Sequence, residues 1–271
     1  MKKVLKNLLP IIARPILSKL HKYKDMHKGE TCYLIGDGSS IKWFDLSLFK
    51  DAIAIPCGFI PFHRQFHELN TPYLILAEPF YFYPTDITTG ESKKLIRNRI
   101  QKIYRKEVID KYSNKEFFIN LSNYPSLRRN NITYLYKDNY DERLSNNYLS
   151  KRIEIDSGSL RISISMAIYM GFKNISLIGF DYTHVPSRSL HWYEKGPGKF
   201  VPQPDYQKDF FEIAKDFSDI TTITLDGASD YINSITYKNY TGHDPIYHEN
   251  YELVDEKYLN ALSSWPGYNI F

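Results

Sequence analysis

The plainest pattern along the chain is a series of short, almost wholly apolar runs closed by glycines, acids or polar turns. Residues 31–35 (TCYLI), 51–56 (DAIAIP), 73–77 (YLILA) and 174–179 (NISLIG) each read as a buried strand, and 117–119, 132–136 and 221–225 are shorter candidates. Unbroken apolar runs, rather than alternating ones, suit strands covered on both faces. Between them, Leu95, Ile96, Ile100, Ile103 and Tyr104 recur at helical spacing over 91–113. Leu160, Ile164, Ala167, Ile168 and Met170 do the same over 159–172, where Gly171 marks a stop. Residues 206–217 read as a further helix and 46–49 as a short helix or turn. This rhythm predicts an α/β domain, a Rossmann-like and mostly parallel sheet with helices on both faces. The domain is expected over 29–236, with a lid at about 183–203. Residues 137–155 are polar and irregular, and 237–271 shows no firm element and is expected to pack on the domain as a tail.

A basic, apolar segment, residues 1–28, precedes the domain. Pro10 and Pro15 break it into short helical pieces. Leu5, Leu8, Leu9, Ile12, Ile16 and Leu20 suit a bilayer surface, with Lys2, Lys3, Lys6 and Lys19 toward lipid phosphates. The alternative is a helix packed on the body of the protein or on a second copy of the chain. No run of about 18 apolar residues is present, and no small-residue cleavage site follows the basic stretch. The expected location is the cytoplasm, with peripheral contact at the inner face of the membrane.

Composition refines this picture. Of 271 residues 42% are hydrophobic, enough for a sizeable core and against wholesale disorder. The 23 Tyr and 16 Phe put rings on surfaces and in clefts, where they can stack on bases or sugars; AT-rich coding is the plainer source of the same excess. A net charge of +4 suits anionic substrates or an anionic membrane, but the dense basic runs of a nucleic-acid binder are missing. Cys32 and Cys57 are too few for a disulfide scaffold and are expected to be reduced, in keeping with a cytosolic compartment.

Chemistry-bearing residues gather at the ends of the apolar runs. Gly36-Asp37-Gly38-Ser39-Ser40 follows the first strand, where glycines let a backbone approach a phosphate or ribose; a plain loop is the other reading. It is not GxGxxG and has no P-loop Lys. Asp156-Ser157-Gly158-Ser159 opens a helix, either as a cap alone or as a set of free amides for a ligand. Gly179-Phe180-Asp181-Tyr182 closes the strongest strand, and ligands of open α/β sheets collect beyond carboxyl ends. The following loop carries His184, His191, Trp192 and Tyr193. A His there can act as a general base, its pKa lying near working pH, although an isolated exposed His is more often silent. Metal ligands are not visible: there is no DxD pair, no HExxH and no paired cysteines. His63 and His67, four apart but near Pro61 and without a third ligand, read as surface residues. No GxSxG elbow is present.

The stretch CYLIGDGSSIKWFDLSLF resembles the opening strand and glycine turn, of the form IIxGNGPSLKxxD, of the family 42 sialyltransferases. It is equally similar to the opening of Maf flagellin-modification and 6-hydroxymethylpterin pyrophosphokinase MptE-like proteins. DSGSLRISISMAIYMGFKNISLIGFDYTH resembles the second hallmark of both groups, and HWYEKGPGKFVPQPDYQKDFFEIAKDF is closer to the MptE-like proteins. The resemblance covers 31–59 and 156–226. It implies a transferase domain of the GT-A-variant type that takes a CMP-activated nonulosonic acid and passes the sugar, with inversion, to a cell-surface glycan such as a polysaccharide or lipopolysaccharide. It further implies that Gly36, Asp37, Gly38, Ser39, Ser40 and Gly58, with Ser157, Gly158, Ser159 and Asp181, hold the nucleotide. Tyr182 and Tyr193 would bind the phosphate, and His191 would be the base, with His184 as its rival. No metal and no cofactor beyond the donor is implied. Three positions depart from the family pattern: Asp37 stands for the motif Asn, Ser39 for the motif Pro, and Gly58 for the Asn after the second strand. Asp37 would accept from ribose or the cytosine amine but repel a phosphate. An MptE-like pyrophosphokinase, or a nucleotide- or sugar-binding protein with weak catalysis, are the alternatives.

Overall fold

The apolar runs become strands whose successive side chains serve opposite faces. The computed structural model of the chain describes residues 12–83, 99–136, 159–202, 208–264 and 267–271. The strands are β1 (Thr31–Ile35), β2 (Ile53–Pro56), β3 (Tyr73–Leu76), β4 (Glu116–Asn120), β5 (Ile132–Leu135), β6 (Asn174–Ile178), β7 (Ser187–Arg188), β8 (Phe200–Val201), β9 (Asp219–Thr224) and β10 (Asn233–Thr236). Five pair in parallel in the order β10-β9-β6-β1-β2, three more in the order β3-β4-β5, and β7 and β8 form a small antiparallel hairpin. Cys57 bridges Ile75 in parallel register, and the Gly58 N–H donates to the Ile75 carbonyl over 3.3 Å. The two parallel sheets therefore run on side by side.

β1 occupies the middle: Leu34 lies opposite Ile55 of β2 on one side and Leu177 of β6 on the other. Tyr33 and Ile35 enter one core, with Ile100, Tyr104 and Val108 of the helical stretch 99–110. Cys32 and Leu34 enter the other, with Ile164, Met166 and Ile168 of the first long helix. This is the α/β sheet with helices on both faces that the pattern predicts. The helices are α1 (Arg14–Leu17), α2 (Ser159–Tyr169), α3 (Lys208–Ala214), α4 (Tyr237–Thr241), α5 (Asn250–Leu253) and α6 (Glu256–Leu262). The chain adds β2 to β5 on one side of β1 and then returns to place β6, β9 and β10 on the other. That reversal makes a topological switch between β1 and β6, and the crevice beyond their carboxyl ends is where such a sheet takes ligands.

Three expectations need correction. Residues 12–23 do not offer an apolar face to a bilayer: Leu17 and Leu20 are buried, Ile16 packs against the core, and Ile12 alone of that group stands exposed. Lys19 is held by Glu116 at 2.8 Å and by the carbonyls of Asn130 and Ile132, so it does not reach out to lipid. Within 12–23 the protein's own core takes these apolar side chains; residues 1–11 lie outside the described residues. Among the described residues, no helix is long and apolar enough to cross a membrane. Second, β10 follows the strand expected to be last. It sits at the sheet edge, with no fully buried residue to give it an apolar pattern. Third, the described residues of 237–271 hold three short helices, the first two set by caps rather than periodicity. The Thr236 side chain accepts from the Asn239 N–H at the start of α4, and Glu249 with Glu252 makes a capping box at α5.

Candidate active site

The carboxyl ends of β1 and β6 are joined by glycine. The Gly36 N–H donates to the Ile178 carbonyl and the Gly38 N–H to the Gly179 carbonyl, each over 2.8 Å, which carries the β1–β6 ladder past the strands. A Cβ on Gly36 or Gly38 would lie 2.6 or 2.5 Å from the Gly179 oxygen. The two turns thus demand glycine of each other, because their backbones touch. A carboxylate anchors each turn. Asp181 accepts from the Ser40 N–H (2.9 Å), the Ser39 hydroxyl (3.1 Å) and the Ser40 hydroxyl. Asp37 points inward and accepts from the Phe59 N–H at 2.9 Å and Trp192 Nε1 at 3.0 Å. Gly58 sits directly against it: a Cβ there would fall 1.7 Å from Asp37 Oδ2.

Beyond β6 the chain folds back onto the first turn. Trp192 N–H donates to the Asp37 carbonyl at 3.1 Å, and Gly38 and His191 form an antiparallel bridge. His191 Nδ1 lies 2.8 Å from Glu194 Oε2, and the same oxygen accepts the His191 N–H at 2.9 Å. The imidazole lies flat on Tyr193 (centroids 5.0 Å, interplanar 5°) and meets the Tyr268 ring edge-on at 5.5 Å. The His191 side chain is 44% exposed and that of Glu194 only 4%. Burial pulls the His191 pKa down, but the Glu194 hydrogen bond and the charges of Asp37, Glu194 and Asp181 outweigh it and hold it above the ordinary value. Glu194 Oε1 accepts from the Asn269 N–H at 2.9 Å.

The stretch expected as a lid is pinned at both margins. Val185 and Ala228 exchange backbone hydrogen bonds of 2.9 and 3.0 Å at one. At the other, the fully buried Lys42 ammonium donates to the carbonyls of Glu194 and Gly196, with Glu249 3.7 Å away. Asn250 Nδ2 donates to the Tyr193 and Ile270 carbonyls, both at 3.0 Å.

The other residues singled out from the sequence fall in different places. Ser159, the first residue of α2, lies close enough to the Cys57 thiol to favour its ionised form, so the helix start does reach the carboxyl end of β2, beside Gly58. Ser157 and Gly158 lie outside the described residues. Tyr182 is 44% exposed, whereas Tyr193 is buried among Phe59, Trp192 and Tyr268 and forms the wall behind His191. His184 is buried with Nδ1 unpartnered, and burial lowers its pKa against the opposing charges of Asp181 and Asp226. His63 is not a surface residue. It is buried, its ring 5.0 Å from Trp192, and burial takes its pKa down to about 3, because the short turn Ile60–Phe62 tucks it under the loop. His67 is exposed, as expected. Both cysteines are buried and free. Glu194, Lys42 and Tyr268 belong to the site and were not expected there. Only Glu194 left a sequence signal, as the fourth residue of His191-Trp192-Tyr193-Glu194.

Comparison of the chain with protein-family models, curated proteins and solved structures found no match. Among the described residues, no group of three or more His, Cys, Asp or Glu could hold a metal ion. A shallow groove among Lys215, Ser218, Asp230 and Tyr231 lies at the amino ends of β9 and β10, away from this chemistry.

What the arrangement offers is a carboxylate-backed imidazole, partly open to solvent, on a glycine turn at the switch point. It also has a pH signature. Burial, working against His191 and the N–H donors of Phe59 and Trp192, raises Asp37 from 3.8 to about 6. The folded state therefore holds this proton more tightly than the unfolded chain does. The resulting stabilisation is complete below the ordinary value and is lost as pH rises through about 6. The loss amounts to about 3 kcal/mol. Asp37→Asn removes the titration, so urea midpoints between pH 4 and 6.5 should fall less with pH than those of the wild type. An equal slope in the two proteins would place its origin elsewhere. The Asp37 charge is one of those that hold His191 above its ordinary value, so the comparison is read at the acid end of the window, where His191 is charged in both proteins.

Proposed function

We propose that the chain is a glycosyltransferase that moves a sialic-acid-like nonulosonic acid from a CMP-sugar donor to a cell-surface glycan, with inversion and with His191 as general base. The observation that supports this reading is the His191–Glu194 pair against the glycine turn. With Nδ1 engaged by Glu194, Nε2 is left to take the proton of an acceptor hydroxyl. The nucleotide would lie beyond the carboxyl ends of β1, β2 and β6, along Gly36 to Ser40, Gly58 and the helix start at Ser157 to Ser159. Tyr182, at the exposed side of the turn after β6, would donate to the departing phosphate without adding charge. Asp37 and Asp181 commit their oxygens to protein N–H and O–H groups, which eases the repulsion of a nearby phosphate. Work at the inner face of a membrane fits the apolar and basic residues of 1–11.

A panel of CMP-, UDP- and GDP-sugars, each with and without EDTA, tests the reading. CMP release from CMP-sialic acid is expected, unaltered by EDTA, with no turnover of the other two classes. Turnover of UDP- or GDP-sugars alone, or activity abolished by EDTA and restored by manganese, would overturn it.

A further inference from the structure

We propose that Glu194 is a positioning residue that sets the tautomer and orientation of His191, and that the backbone N–H of Asn269 holds Glu194 in place to do so. The inference deepens the transferase reading and rests on it. One carboxylate oxygen accepts both the His191 N–H and Nδ1, so ring and backbone are tied to the same atom. The other accepts the Asn269 N–H at 2.9 Å, from a segment 75 residues further along the chain. With Nδ1–H donating to a carboxylate, the neutral ring carries its lone pair on Nε2. Tyr193 beneath and Tyr268 at the edge leave the imidazole little room to turn. Because the Glu194 side chain is almost fully covered, water does not dilute the contact as it does an exposed ion pair.

The charged groups facing His191 are Glu194, Asp37 and Asp181, with the Tyr193 and Tyr268 rings against it. Lys42 reaches the Glu194 carbonyl and thereby fixes the loop. In the transfer step the acceptor oxygen bonds to the anomeric carbon while the bond to CMP breaks, its electron pair leaving with the phosphate. The hydroxyl proton passes to Nε2. Glu194 stays ionised and faces the imidazolium that results.

Glu194→Gln tests the idea sharply. Its amide nitrogen meets an N–H donor in either orientation, that of His191 at the Oε2 place or that of Asn269 at the Oε1 place, so the carboxylate charge is lost and the hold on the ring is broken. In serine proteases the matching Asp→Asn change costs about 10⁴-fold in kcat. A fall of about 10²–10⁴-fold in CMP release from CMP-sialic acid is expected here, with CMP affinity by calorimetry unchanged. The ¹⁵N-histidine titration of His191 should move to lower pH. Glu194→Asp, which keeps the charge, should recover part of both, which a misfolded variant could not do. Wild-type kcat in Glu194→Gln, or an unmoved His191 titration, would overturn the proposal. A wild type that releases no CMP while the titration still shifts would remove the transferase reading and leave the positioning intact.

Discussion

His191→Ala is expected to slow sugar transfer about 10²–10⁴-fold, the usual cost of losing a positioned base, while CMP binds as tightly as before. The reason lies in what the side chain touches. His191 meets the protein through Nδ1 and through ring faces, and it has exposed surface at the crevice. His184, two residues beyond the turn anchored by Asp181, is the control. It is buried, burial holds its ring toward the neutral form, and it has no open path to an acceptor. His184→Ala should therefore lower thermal stability through the cavity it leaves and change kcat little. The pH profile adds an independent check. A base must be neutral to accept a proton, and the charges around His191 raise its pKa above the ordinary 6.5. The rate should accordingly fall as pH drops through a value above 6.5, and this limb should vanish in His191→Ala. If His191→Ala keeps its rate and His184→Ala loses it, the two roles are exchanged.

The sheet was legible because its central strands are continuous apolar runs, and burial on both faces leaves no other composition open to them. The carboxyl-end residues were legible for a related reason: polar residues and glycines directly after such runs mark where the sheet opens. Their purpose was less so. The glycines of the first turn look suited to a ligand, yet their backbones approach the second turn, and sequence order hides a contact between residues about 140 apart. Asp37 as an inward clasp rests on Phe59, 22 residues away, and on Trp192, 155 residues away. The helices after Thr236 were not visible because each is only a turn or two long, and the first two are defined by caps. Tyr268 and Asn269 join the His191 pair only through tertiary packing, and no local pattern announces that.

Gly58→Ala should be among the most destabilising single changes in the chain. Gly58 has φ +60°, which in any other residue costs roughly 1 kcal/mol or somewhat more. A new Cβ would also lie 1.7 Å from Asp37 Oδ2. A flexible surface side chain would swing away at small cost. Asp37 cannot, because its oxygens are held by the Phe59 N–H and Trp192 Nε1 in the interior. Moving it strips a buried carboxylate of its donors, a loss of about 3 kcal/mol. Together these predict a drop of about 4 kcal/mol, or roughly 10 °C in thermal midpoint for a chain of this size. Gly242→Ala supplies the comparison: Gly242 has φ +78° with nothing within 4 Å of its Cβ position, so only backbone strain is added there. The excess of Gly58→Ala over Gly242→Ala then measures the collision with Asp37. Asp37→Ala should itself destabilise, by orphaning the Phe59 and Trp192 donors. Combined with Gly58→Ala, however, it should cost much less than the sum of the two, since the colliding carboxylate is already gone. Strict additivity, or equal midpoints for the Gly58 and Gly242 variants, would show that Asp37 does not hold this corner of the site.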